Sequence, residues 1–144
     1  MADIFDQIIK GEIPCYKVYE DDDVLAFLDI SQVTPGHTLL VPKQHVDNIF
    51  DYTDDIARKV LLKLPILARA IKASDDKITG INIQSNNGVS AGQTVLHSHW
   101  HLIPRYDDDN LNAQLAPTID HSADFSAERY QNIANQIAKE MEKM

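Results

Sequence analysis

The chain has 144 residues, of which 44% are hydrophobic and 24% charged, an ordinary globular composition that excludes disordered, collagen-like and coiled-coil chains. That length suits one domain over 1–144 with a core that needs neither metal nor disulfide. With 13 Lys and Arg against 22 Asp and Glu the net charge is −9; the field repels phosphate backbones and no basic stripe offsets it, so no nucleic-acid partner is expected.

In chain order, Ile4, Phe5, Ile8 and Ile9 recur at helical spacing between Asp3 and Lys10, and Gly11 and Pro14 end that helix. Tyr16 to Glu20 and Val24 to Ile30 read as strands around the turn Asp21-Asp22-Asp23. A Pro35-Gly36 turn leads into a third strand, His37 to Val41, which Pro42 ends. Thr53 is an N-cap followed by Asp54 and Asp55. Ile56, Val60, Leu64, Leu67 and Ile71 then form one apolar face of a long helix, with a kink expected near Leu61 to Leu64 because Pro65 lacks an N–H. Ile78 to Gln84 is a fourth strand and Thr94 to Ile103 a fifth, separated by a polar loop from Ser85 to Gln93. After Pro104 comes an irregular acidic stretch containing Asp107, Asp108 and Asp109. A last helix presents Tyr130, Ile133, Ala134, Ile137, Ala138 and Met141 on one face. The order predicts an α+β fold built on a mostly antiparallel five-stranded sheet.

Cys15 has no partner for an internal disulfide, which points to a reducing compartment. The N-terminal residues lack the basic start and apolar core of a signal peptide, and no apolar run approaches the roughly 20 residues that span a bilayer. A cytoplasmic protein with no membrane partner is expected.

The chemistry concentrates in His97-Ser98-His99-Trp100-His101. Alternation along a strand would put residues 97, 99 and 101 on one face, as a row of imidazoles about 7 Å apart. Such a row can ligate zinc or iron, or it can supply a nucleophile with phosphate-holding neighbours. No H-E-x-x-H pattern is present. The preceding loop, Asn86 to Thr94, offers amides and hydroxyls that suit phosphate oxygens, and Gly88 and Gly92 free backbone N–H groups there. Phosphoryl chemistry therefore fits better than a metal.

Together with Ile4-Phe5, Gly11-Glu12-Ile13-Pro14, Val18 to Asp22, Ala26 to Ile30, Thr34-Pro35-Gly36-His37, Val41-Pro42-Lys43 and Gly92-Gln93-Thr94, the triad segment makes the chain resemble the histidine triad (HIT) nucleotide-binding proteins, over nearly its whole length. The resemblance implies that His99 attacks the α-phosphorus of a purine nucleotide (AMP or GMP type), giving a nucleotidyl-histidine that water hydrolyses. It implies that His97 and His101 orient that ring and bind phosphate oxygens, that His37 supports them, and that Asn86, Gly92, Gln93 and Thr94 hold the phosphate. By the same resemblance Asp29 accepts from the ribose hydroxyls and Phe5, Ile8, Phe27, Ile30 and Leu39 surround the base. A nucleoside phosphoramidate is the first substrate class and a dinucleoside polyphosphate the second. A nucleotide-sensing interaction module and a metal hydrolase are the competing readings.

Many bacterial relatives bear a C-x-x-C pair that joins two histidines on a structural zinc. Here Asp3 and Asp6 stand at those positions, with His45 and His97 matching the histidine ligands. Carboxylates hold zinc less well than thiolates, so no structural zinc and no cofactor is expected. Ser98 stands where an apolar residue is usual, and Arg105 is a candidate contact for a leaving-group phosphate. Family members are usually homodimers, and the Thr53–Ala73 helix is the expected interface element.

Overall fold

Every strand of the five-stranded sheet runs antiparallel to its neighbours. A computed structural model describes residues 3–111 and 119–144. The elements are α1 (Ile4–Ile9), β1 (Lys17–Glu20), β2 (Val24–Leu28), β3 (Thr38–Pro42), α2 (Asp54–Leu61), α3 (Lys63–Ser74), β4 (Ile78–Gln84), β5 (Trp100–Tyr106) and α4 (Ala127–Glu142), and the strand order across the sheet is β1-β2-β3-β5-β4. The α+β architecture anticipated from the sequence is the one observed.

Side-chain alternation divides the sheet into two faces. Val24, Ala26 and Leu28 of β2, Leu40 of β3 and Leu102 of β5 join the buried faces of α2, α3 and α4 in the larger core. Leu25, Phe27, Leu39 and Val41 point the other way and pack with Phe5 of α1. His101 pairs with Leu39 in the β3–β5 ladder, so it faces the thinly covered α1 side. One short helix leaves room there for a cleft.

The expected kink is a break: α2 ends at Leu61 and α3 begins at Lys63. Pro65 falls in the first turn of α3, where its missing N–H would have had no intrahelical acceptor. Thr53 caps α2 through its hydroxyl, which accepts from the Ile56 N–H at 3.2 Å.

The fifth strand differs from expectation. It covers Trp100 to Tyr106 instead of Thr94 to Ile103, and Pro104 lies inside it. The β3 ladder reaches β5 only from Trp100 to Leu102. The Pro104 carbonyl accepts the Thr34 hydroxyl, which shows that its nitrogen also faces away from β4, so no ladder bond is lost. Upstream, residues 95–99 are irregular. The Ser98 N–H donates to the Val46 carbonyl at 2.8 Å, beyond the end of β3. β2 likewise stops at Leu28, and His37 precedes β3 instead of opening it.

Candidate active site

Three imidazoles, those of His37, His99 and His101, meet beside the start of β5, and their hydrogen bonds fix where each proton sits. His99 Nδ1 lies 2.8 Å from the carbonyl of His97. A carbonyl only accepts, so Nδ1 carries the proton and Nε2 keeps a free lone pair. The Val33 N–H donates to His37 Nδ1 at 3.2 Å. His37 must therefore hold its proton on Nε2, which lies 2.9 Å from His101 Nδ1. His101 accepts there and is left with an Nε2–H donor. The ring centroids of His99 and His101 are 5.3 Å apart.

Burial keeps this group neutral. It pushes the pKa of His37 and of His99 below the ordinary imidazole value, the bond from His99 to the His97 carbonyl opposing part of the latter shift. His101 is lowered to about 4, by burial first and then by the neighbouring His37 and His99.

His99 and His101 line an open cleft of about 530 Å³, within the range of small-molecule sites. Asp29, Asn86, Gly92, Gln93 and Thr94 line it too, as do Phe5 and Leu39. Gly92 sits at φ +93°, and a Cβ there would lie 3.4 Å from the Asn86 amide. Glycine thus leaves that amide room to face the cleft. An adjoining apolar pocket of about 190 Å³ shares Phe5, Leu39 and Asp29 and adds Ile8, Phe27 and Ile30. All five residues assigned to a base pocket are thereby brought together. Asp29 Oδ1 accepts from the Ser31 N–H and hydroxyl, and Oδ2 lies 3.6 Å from His37 Nε2.

Three expected contributors are placed otherwise. His97 does not share the cleft. Its ring is fully buried, Nε2 lies 2.8 Å from the Pro42 carbonyl, and Phe5 lies against both it and His99. Its carbonyl, not its ring, orients His99, because residues 97–99 leave the regular pleat. The Gln93 side chain is spent inside the loop: it donates to the Asp47 and Val95 carbonyls at 2.6 and 2.9 Å and accepts from the Gly88 N–H at 2.8 Å. Arg105 is committed to Asp109 through two bonds, at 2.8 and 3.1 Å, and to Asn82 at 3.0 Å, away from the cleft.

Ser98 is buried with its hydroxyl 2.7 Å from Tyr52, which in turn accepts from Trp100 Nε1 at 3.1 Å. A satisfied polar network thus anchors the segment between the histidines. Gln84 lines the cleft and was not singled out in the sequence. Counting back by two from Asn86 would have flagged it.

Asp3, Asp6, His45 and His97 converge beside α1. Asp3 Oδ2 is 3.3 Å from both His45 Nδ1 and His97 Nδ1, and the Asp6 oxygens are 3.5 and 3.4 Å from them. A tetrahedral ion with bonds of about 2.0–2.1 Å needs donors roughly 3.3–3.4 Å apart, so the spacing and number of donors fit a divalent ion. Both carboxylates also serve the capping box of α1, where the Asp6 N–H donates to Asp3 Oδ1 at 2.8 Å.

A model of the HIT domain matches residues 10–108. The Hit protein of Bacillus subtilis is 48% identical over 138 residues, covering 96% of this chain and 93% of that protein. An adenosine 5'-monophosphoramidase from Candida albicans is 37% identical over 108 residues, covering 73% and 71% respectively. The crystal structure of a Hit-like protein from Bartonella henselae superposes with a TM-score of 0.82 at 35% identity, covering 96% of this chain and 95% of that one.

Proposed function

The chain belongs to the HIT-domain family, and on that footing we propose that it is a nucleotide hydrolase or transferase whose preferred substrates are purine nucleoside phosphoramidates. The observation that carries this reading is the tautomer of His99. With its Nδ1 proton held by the His97 carbonyl at 2.8 Å, Nε2 is a neutral nucleophile facing a cleft lined by anion-binding donors.

In the first step Nε2 attacks the α-phosphorus while the bond from phosphorus to the leaving nitrogen breaks. The departing nitrogen takes a proton from a solvent water in the open cleft and leaves as the amine. Two neighbours steady the charge: the His101 Nε2–H and the Asn86 amide donate to the phosphate oxygens. In the second step water attacks the same phosphorus and gives up a proton to solvent, the histidine–phosphorus bond breaks, and the nucleoside monophosphate is released with His99 again neutral. The base occupies the apolar pocket between Phe5, Phe27 and Leu39, and Asp29 turns from Ser31 to accept the ribose hydroxyls. The phosphoramidase activity named for the Candida relative supports an amine leaving group. A dinucleoside polyphosphate is the second substrate class and would place a nucleotide in the leaving position.

An ion bound by Asp3, Asp6, His45 and His97 would tie α1 to the segment carrying His99 and so support the wall of the cleft. It would be structural and enter no step. A second copy of the chain is also proposed as a partner, because β4 is an edge strand and Leu62, at the α2–α3 break, is 62% exposed. Sedimentation at twice the chain mass is the expected outcome, and a monomer at micromolar concentration would remove this part.

The direct test is His99→Asn. Turnover of an adenosine phosphoramidate and the nucleotidyl adduct, trapped in alkaline denaturant and read by mass spectrometry, should both vanish while AMP binding persists. Undiminished turnover in that variant would end the proposal.

A further inference from the structure

Between β2 and β3, residues 29–37 carry both Asp29 and His37, and one side chain closes this segment on itself. Gln32 is fully buried, and its backbone lies at φ +43°, a left-handed conformation that residues other than glycine seldom adopt. Its carboxamide donates to the Asp29 carbonyl at 2.6 Å and to the His37 carbonyl at 2.8 Å, and it accepts the Gly36 N–H at 2.8 Å. The left-handed turn also redirects the chain so that the next residue, Val33, donates its N–H to His37 Nδ1. We infer that Gln32 is a positioning residue that selects the tautomer of His37 and, through it, the polarity of His101 in the cleft.

The consequence follows from proton counting. With Nδ1 accepting from Val33, His37 donates from Nε2 and His101 presents an N–H to the cleft. Were His37 protonated on Nδ1 instead, its Nε2 would accept from His101 Nδ1. His101 would then face the phosphate with a lone pair. The same two rings in the same places would repel the anion they now bind. Nothing else in the His37–His101 pair distinguishes these states, since each ring nitrogen is a donor in one and an acceptor in the other. The bias comes from the Val33 amide, and Gln32 holds that amide in place. Asp29 Oδ2 lies 3.6 Å from His37 Nε2 and 3.8 Å from His101 Nδ1, nearly equidistant from the two nitrogens that share the proton, so it does not choose between the states.

The catalytic part of this inference rests on the phosphoryl-transfer reading; the tautomer part does not. Its test uses long-range ¹H–¹⁵N spectra of the histidine rings in the wild type, Gln32→Ala and Gln32→Glu. Gln32→Glu is nearly isosteric and keeps an acceptor for the Gly36 N–H, so it guards against simple unfolding in the alanine variant. In the wild type His37 should be protonated on Nε2 alone. In the folded variants both tautomers should appear, with kcat lowered roughly ten- to hundredfold and KM changed less. A folded variant that retains the wild-type His37 tautomer overturns the inference, whatever its activity. A shifted tautomer with unchanged turnover upholds the positioning role and overturns its catalytic consequence.

Discussion

Acidification offers the sharpest test of the neutral histidine cluster. An imidazole with the ordinary pKa of about 6.5 would be about 3% neutral at pH 5. His101, lowered to about 4 by burial and by its neighbours His37 and His99, should still be about 90% neutral there, a roughly thirtyfold difference in the competent form. His99 and His37 are shifted in the same direction, so the acid limb of kcat/KM, which reports the free enzyme, should fall with a midpoint below 6.5. Because the rings interact, the limb belongs to the cluster. Stability must follow the same sign. Below pH 6.5 the unfolded chain binds a proton at residue 101 that the folded chain refuses, so stability is complete above 6.5 and declines as pH falls, levelling near 4. The full loss from this group is about 3 kcal/mol. NMR titration of the ring protons and urea unfolding of wild type against His101→Asn between pH 7 and 4 measure both. A His101 midpoint at 6.5 or above, or a wild-type-minus-variant stability difference that does not shrink on acidification, would refute the reasoning.

Three further outcomes follow from the geometry. The wild-type chain should emerge from purification without stoichiometric zinc, and Asp3→Cys with Asp6→Cys should retain one zinc per chain, since the spacing fits and only the donors change; elemental analysis decides, and a full zinc in the wild type would overturn the expectation. Gln93→Ala should cost about 3 kcal/mol in urea unfolding, because it strands the Gly88 N–H and the carbonyls of Asp47 and Val95; a loss under about 1 kcal/mol would place those groups in contact with water. Asn86→Ala should weaken AMP binding about tenfold, near 1.4 kcal/mol, by calorimetry, and unaltered affinity would remove Asn86 from the phosphate site.

The sequence alone determined the elements whose signals are local. The apolar stripes of α2, α3 and α4 follow a 3.6-residue period, the Thr53 cap and the Pro65 break are read from single residues, and β2 shows as an apolar run between turns. Most of the cleft residues were legible as well, Gln84 excepted, since ordered short motifs identify positions without needing to know how they meet. Tertiary structure decided what those positions do. Alternation put His97 in line with His99 and His101, yet the Ser98 N–H pairs with Val46 and the pleat is lost just upstream of β5. His97 therefore turns toward Asp3 and Asp6 and serves the nucleophile through its carbonyl. Gln93 and Arg105 are polar candidates whose donors are consumed by partners 2 to 46 residues away along the chain. Gln32 carries no motif and gains its role from a left-handed turn and complete burial. Hydrogen-bond partners are chosen by proximity in space, and a donor's sequence position does not say which acceptor folding will bring to it.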